Sequence, residues 1–413
     1  MKKFFIKTFG CQMNVRDSEI ISGLLKKEGY RMSDDPGKAD IIIFNTCSVR
    51  QHAEDKVWSE VGRIRKCVVQ SPKSIDKKLR TLNHEPITKP IIGLVGCMAQ
   101  NYKEKVFERA PSVDFAVGPS DIYKIPEIIK RFSVLGSRLS GKNMFETKIW
   151  ETDGEIRPDE IYRTGFYEDK EHAYVVISEG CSNYCSYCVV PFVRGQIRNR
   201  GYKDILREIE EAVDKGVTRI TLLGQNVNAY KSGAGSKELS IGNKESEADF
   251  IKLLELVNNI KGIKEFGFIT SHPKDTGIAL FEAMAAADKL KKYLHLPAQS
   301  GSDRILEMMN RGYTRNFYLD LVDNYRRIIK GGVLSSDVIV GFPTEREDDF
   351  CDTRDLVKAV EFDVAYIFKY SPRPHTEAGK LADDVKKEEK ERRHGIILDL
   401  QKEISRKKKC SRR

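Results

Sequence analysis

The chain has 413 residues, 40% hydrophobic and 32% charged, which excludes a disordered chain and leaves room for two to three domains of about 150 residues. Lys and Arg number 71 against 61 acids, a net charge of +10 that suits a polyanionic partner. No apolar run approaches the ~20 residues that span a bilayer, and the start, MKKFFIKTFG, reads as a first strand, so the expected location is the cytoplasm, without a membrane.

Short β-branched or aromatic runs stand at 4–9, 40–44, 91–95 and 114–117, with helix-like stretches at 17–28, 53–66 and 102–110 between them. This βαβα order predicts a doubly wound parallel α/β domain over residues 1–131. Residues 67–90 are rich in Lys, Ser and Pro and read as a surface insertion. The polar stretch 132–166, with Gly136, Gly141, Gly154 and Pro158, reads as a linker. A second alternating series follows over 167–382. Its strands are expected at 173–178, 219–223, 265–270, 293–296, 336–340 and 364–368, with helices such as 202–215, 249–261 and 316–330. Six such units predict a partial (β/α)6 barrel. Residues 383–413 read as a basic helix and tail. From 386 onward twelve Lys or Arg face five acids, and Ile396, Ile397, Leu400 and Ile404 form an apolar stripe expected to pack on the barrel. Residues 406–413 are either a solvated terminus or a source of phosphate contacts.

Nine cysteines, an odd number, point in a reducing compartment to metal or redox chemistry rather than to disulfides. Cys181, Cys185 and Cys188 lie just after the first barrel strand, at the mouth where such folds place their active sites. A structural zinc needs a fourth ligand, and none is adjacent. A 4Fe–4S cluster normally takes four cysteines, so three would leave one iron open. The following strands end in polar groups: Gln225 and Asn226, Ser271 and His272, His295 and Gln299, and Arg373. Each alone is ordinary loop chemistry; together they can bind a carboxylate, a ribose or a base. Cys11, Cys47 and Cys97 are far apart in the chain, yet each ends an apolar strand. A parallel sheet would bring three such ends to one edge. The alternative is three small buried hydrophobes.

The C-x3-C-x2-C pattern, with Tyr187 before its last cysteine, resembles the radical S-adenosylmethionine (SAM) enzymes. The stretches TFGCQMN, NTCSVR, GCMAQ, VVPFVRG and HLPAQSG resemble the methylthiotransferases, over about residues 4–405. Gln12, Met13 and Asn14 resemble the branch that acts on tRNA. The resemblance implies that Cys181, Cys185 and Cys188 hold the catalytic 4Fe–4S cluster and that Tyr187, Gln225, Asn226, Ser271, His295, Gln299 and Arg373 surround SAM. It implies a second, sulfur-delivering 4Fe–4S cluster on Cys11, Cys47 and Cys97, facing the first. The implied reaction consumes two SAM and adds a methylthio group to carbon 2 of N6-isopentenyladenosine beside the anticodon. The implied partners are the tRNA anticodon stem-loop, an electron donor such as flavodoxin or ferredoxin, and a sulfur donor, for a monomeric enzyme. Three features depart from the family. The 67–90 insertion is extra. His375 stands where glycine is common, and the 37 residues after Thr376 read as one charged helix where members usually carry a small basic barrel, the TRAM domain. Cys67, Cys351 and Cys410 fall outside the pattern and read as free thiols. Alternative readings are another modified adenosine or a protein side chain as substrate, or a non-catalytic cluster-carrying RNA-binding protein.

Overall fold

The computed structural model describes residues 2–48, 51–69, 90–138, 148–154, 157–232 and 249–411. Most of the expected insertion, residues 70–89, and the Cys67 side chain lie outside the described residues, as do Arg412 and Arg413. The chain divides into two compact units, one of Met1–Glu168 with Phe192–Arg194, the other of Asp169–Pro191 and Gly195–Arg413.

The first unit is built on six strands: β1 (Lys3–Thr8), β2 (Arg31–Met32), β3 (Ile41–Thr46), β4 (Ile91–Gly96), β5 (Phe115–Val117) and β6 (Ile149–Glu151). All pair in parallel, in the order β2-β1-β3-β4-β5-β6. Every residue of β3 is buried, as a central strand covered on both faces requires. Helices α1 (Gln12–Lys27), α2 (Gln51–Val69), α3 (Cys97–Tyr102), α4 (Lys105–Arg109) and α5 (Ile125–Arg138) accompany the sheet. Phe44, Leu94, Val57, Val61 and Met98 share one core, and Ile20, Ile21 and Leu25 of α1 are fully buried. Helix α1 begins five residues before the expected 17, because extended backbone at Cys11 starts it. Residues 132–166, expected as a linker, contribute β6 to the sheet and bury Ile161 and Tyr162. The strand escapes a pattern search because it is three residues long and lies at the sheet edge, with Trp150 48% exposed.

The second unit carries β7 (His172–Val176), β8 (Ser178–Glu179), β9 (Arg198–Asn199), β10 (Arg219–Leu223), β11 (Glu265–Ile269), β12 (Tyr293–His295), β13 (Val333–Val340) and β14 (Val364–Lys369). Two parallel sheets, β7-β10-β11 and β12-β13-β14, follow chain order, and a parallel bridge from Phe266 to Leu290 lies between β11 and the start of β12. These six strands are those of the expected partial (β/α)6 barrel. Strands β8 and β9 form a short antiparallel ribbon. The helices are α6 (Val190–Arg194), whose last three residues belong to the first unit, α7 (Tyr202–Asp214), α8 (Phe250–Asn258), α9 (Ile278–Ala286), α10 (Asp303–Met308), α11 (Arg315–Ile328), α12 (Glu347–Val360) and α13 (Lys387–Ser411). Side chains of Asp249, Ser302 and Thr314 accept from the third backbone N–H beyond them, which starts α8, α10 and α11 at those points.

Helix α13 lies along β14 and α12, with a different stripe from the one expected. Ile397 and Ile404 are buried, but Ile396 is 37% exposed and Leu400 is half-buried. The other inward positions of that face are polar: Arg393 donates to Glu345 at 2.7 Å and Gln401 to the Phe362 carbonyl at 2.9 Å. Spacings of four and three from 393 to 404 hold one helix face, whereas 396 turns away. Among the described residues no helix is long and apolar enough to cross a membrane.

Candidate active site

In the first unit, β1, β3 and β4 are neighbours and parallel, so their carboxyl ends share one edge of the sheet. Cys11, Cys47 and Cys97 stand at those three ends. Two glycines make their approach possible. Gly10 has φ +134°, and a methyl group there would collide with the Cys47 Cβ. Gly96 has φ +91°, and a methyl group there would lie 2.5 Å from the Thr46 carbonyl. Two asparagines tie the loops together. Asn14 Nδ2 donates to Asn45 Oδ1 and to the Thr46 carbonyl, both at 3.0 Å, and Asn45 Nδ2 donates to the Asn14 carbonyl at 2.8 Å. The Cys11 thiol donates to Asn14 Oδ1 at 3.3 Å.

One buried carboxylate, Asp17, accepts from Arg157 and from Arg194, each at 2.8 Å. Burial pushes the Asp17 carboxyl up, but the two guanidiniums outweigh it and hold the group below its ordinary range. Arg194 also reaches the cysteines. A hydrogen bond with Cys47 and the Arg194 charge bring the Cys11 thiol down to about 6, against the opposing effect of its packed surroundings. Burial pushes Cys97 up, and a hydrogen bond from Arg194 opposes it. The trio has an exposed edge at Cys11, while Cys47 and Cys97 are buried.

In the second unit the cysteines lie on the loop that follows β8. Gly180 turns the chain with φ +74°, where a methyl group would collide with the Gln196 carbonyl. Residues 308–310 hold the loop. Ser186 N donates to the Met309 carbonyl at 2.9 Å and Ser186 Oγ to the Met308 carbonyl at 2.7 Å. Asn310 Nδ2 donates to the Tyr184 carbonyl at 3.0 Å, where Tyr184 takes the left-handed φ of +47°. Cys185 is buried, with Arg311 Nη1 3.3 Å and His272 Nε2 3.9 Å from its sulfur. Burial pushes Cys181 up, and burial with the charges of Cys185 and Cys181 pushes Cys188 up to about 12. Burial, with the charges of Arg311 and Lys274, lowers His272 to about 2, so its ring stays neutral. Thiols in such surroundings become thiolates only when a metal takes the place of the proton.

The remaining expected contacts separate into two sets. Tyr187 stands at the cysteine loop: its hydroxyl accepts from Arg311 at 3.3 Å and its ring packs against the cluster of Ile305, Met309 and Phe342. Asn226 donates to Asp275 at 2.6 Å, and Asp275 also accepts from Asn183 of the cysteine loop at 3.5 Å. Gln225, Ser271 and Gln299 follow the ends of β10, β11 and β12. His295 is engaged within its own sheet, with Nδ1 2.9 Å from Ser335 Oγ and Nε2 3.6 Å from Asp337. Arg373 is buried just beyond β14. Arg311 and Asp275 carried no motif of their own; a Met-Asn-Arg turn after a short helix was the only trace of the first.

Ser178 Oγ, Gln225 Oε1, Asn226 Oδ1, Asn228 Oδ1, Ser271 Oγ and Gln299 Oε1 are buried without a partner in the protein. Buried polar atoms are rarely left so, and a cluster of them at consecutive strand ends fits a polar ligand such as SAM. Among the described residues no three His, Cys, Asp or Glu side chains draw together as they would round a single ion. A 4Fe–4S cluster makes a different demand, since each thiolate binds its own iron. Three thiols with no fourth ligand fit such a cluster with one open iron.

Two family models match the chain. Residues 3–118 match the Uncharacterized protein family UPF0004 and residues 175–357 the Radical SAM superfamily. A tRNA-2-methylthio-N(6)-dimethylallyladenosine synthase of Clostridium novyi is 41% identical over 408 residues, 98% of this chain and 82% of that protein. The synthases of Thermotoga petrophila, 40% identical over 98% of this chain and 83% of theirs, and Syntrophomonas wolfei, 42% over 95% and 80%, are alike. Among solved structures, the radical SAM methyltransferase TsrM of Kitasatospora setae, with cobalamin and a [4Fe-4S] cluster bound, has a TM-score of 0.57 at 14% identity over 92% of this chain and 74% of its own. The cobalamin-dependent SAM radical enzyme OxsB has a TM-score of 0.54 at 14% identity over 98% and 56%. At that identity the likeness is one of fold.

Proposed function

The chain belongs to the family of the tRNA-2-methylthio-N(6)-dimethylallyladenosine synthases, and from that membership we propose which of its residues carry the reaction. It is a radical SAM enzyme that transfers a methylthio group to carbon 2 of the N6-isopentenyl adenosine of tRNA, with two 4Fe–4S clusters and SAM as cofactors. The C–H at that carbon is neither acidic nor nucleophilic at neutral pH, so side-chain acids and bases offer little leverage on it. When bound, the cluster and SAM supply a one-electron cut of a carbon–sulfur bond, and hence a carbon radical able to attack such a position.

The chain's own residues bind and orient. Cys181, Cys185 and Cys188 hold the cluster that serves SAM. Gln225, Asn226, Ser271 and Gln299 offer acceptors to the amino, hydroxyl and exocyclic N–H groups of SAM, with Tyr187 at the loop. Cys11, Cys47 and Cys97 hold the sulfur-bearing cluster beside the guanidinium of Arg194. His295 acts within the sheet rather than as a direct SAM ligand, because Ser335 and Asp337 engage both sides of its ring. The sulfur-bearing site falls to the domain of residues 1–131 and SAM cleavage to the barrel of 167–382, with 383–413 as an added helix. A flavodoxin or ferredoxin supplies electrons, a separate donor supplies sulfur, and the enzyme works in the cytoplasm as a monomer on the anticodon stem-loop.

The observation that carries this reading is the row of unpartnered buried polar atoms at the strand ends that follow a three-thiol loop. Mass spectrometry of tRNA nucleosides from cells with and without the gene tests it. The methylthio nucleoside should vanish on deletion and return with the intact gene but not with Cys185→Ala. Unchanged nucleosides would reject the substrate.

A further inference from the structure

We propose that Arg311 is a positioning residue for the cysteine loop, set to make the cluster held there easier to reduce; this rests on the assignment of Cys181, Cys185 and Cys188 made above. The residue is 4% exposed. All three of its nitrogens are engaged: Nη1 lies 3.3 Å from Cys185 Sγ and 3.3 Å from the Tyr187 hydroxyl, Nη2 2.9 Å from the Pro297 carbonyl and Nε 3.1 Å from the Tyr313 hydroxyl. The neighbouring turn is fixed as well, since Asn310, with φ +54°, donates to the carbonyls of Asn183 and Tyr184.

Arg311 differs from five other buried arginines in its counter-charge. Arg16, Arg157, Arg194, Arg200 and Arg393 are equally buried, and each meets a carboxylate, from Glu19, Asp17, Asp17, Glu208 and Glu345. Among the described residues no carboxylate pairs with Arg311; it meets a thiol instead. A guanidinium does not lose its proton in a protein, and burying one without an anion is costly. Its tyrosine and carbonyl neighbours are neutral acceptors at pH 7. The neighbour that becomes an anion is the Cys185 sulfur, once it is a metal-bound thiolate. The pocket is therefore complementary to the loaded site. One-electron reduction adds one negative charge there, makes and breaks no bond and moves no proton. A fixed positive charge hydrogen-bonded to a ligand sulfur favours that reduced state, since net charge and hydrogen bonds to sulfur set cluster potentials.

The test is a dithionite titration of the full-length protein, loaded with iron and sulfide, followed by electron paramagnetic resonance in the absence of SAM. The signal that later responds to added SAM identifies the cluster concerned. Arg311→Gln should disfavour reduction about tenfold or more at a given solution potential, a midpoint about 59 mV more negative for a one-electron couple, with iron and sulfide content unchanged. Arg311→Lys keeps the charge and should move the midpoint less. A parental midpoint in Arg311→Gln overturns the proposal, even if SAM binds more weakly, because the residue would then serve SAM and not the sulfur. If Arg311→Gln takes up no iron, Arg311→Lys decides. Loading with a midpoint within tenfold of the parent supports the proposal; a larger displacement, or no loading, overturns it. Undiminished iron in Cys185→Ala would instead refute the cysteine assignment itself.

Discussion

Gly10 and Gly96 each stand next to a cysteine because no larger residue fits where those chains pass. The two cysteine sets are open to separate tests. Cys185→Ala should abolish formation of 5′-deoxyadenosine with dithionite as reductant, whereas Cys47→Ala should spare it; equal loss in two folded variants would end the proposed division of labour. Asp17 gives a second prediction. Its carboxyl is held below its ordinary value, so its pairing with Arg157 and Arg194 stabilises the fold fully above the unfolded value of about 3.9 and is lost as pH falls through the lower folded value. Asp17→Asn leaves two buried guanidiniums without their carboxylate and should cost ~3–5 kcal/mol at pH 7. Urea unfolding of the metal-free protein should show that gap at pH 7 and its shrinkage below about pH 4. A gap independent of pH would mean that packing, not charge, is what the substitution disturbs. None of this network was legible in the sequence, since Asp17 is 140 positions from Arg157 and 177 from Arg194.

Secondary elements were more legible than their faces. Ten strands of the two units and the order of helices between them follow from short β-branched runs and helical spacing, which are local properties; the two-residue strands β2, β8 and β9 do not. The edge strand β6 is too short to show a period, and its partner β5 decides that it is a strand at all. Helix α13 shows the opposite case: an evident helix whose buried face needed its neighbours. Ile397→Ala should cost ~2–5 kcal/mol, because the side chain is fully buried. Ile396→Ala should stay within ~0.5 kcal/mol, because that side chain is 37% exposed. Chemical denaturation of the two variants compares them directly. Equal losses would restore the stripe expected from sequence spacing.

For the molecule as a whole, two cysteine trios imply about eight irons per chain after anaerobic reconstitution. Saturation at about half that value would leave one trio without a cluster. The net charge of +10 bears on tRNA. Residues 406–413 hold six basic side chains, but Lys407 already pairs with Glu403 at 2.8 Å and Lys408 with Asp363 at 3.2 Å. Deleting 406–413 should lower tRNA affinity and flatten its dependence on salt, by ~0.7–0.9 in the logarithmic slope for each phosphate no longer neutralised. It should leave SAM cleavage without tRNA intact. Identical slopes for intact and shortened protein would make these residues a solvated terminus.

The sequence by itself determined the alternation of strands and helices, the C-x3-C-x2-C loop and the family, because spacing within a few residues and short motifs carry them. Tertiary structure alone decided that Cys11, Cys47 and Cys97 stand at neighbouring strand ends. Strand order puts β1, β3 and β4 side by side, and register then aligns their ends. It alone decided that Arg311 reaches the sulfur of Cys185 across 126 positions. Such pairs depend on how strands and helices pack, which no local pattern encodes. A buried cation also looks the same in sequence whether its partner is a carboxylate or a thiol.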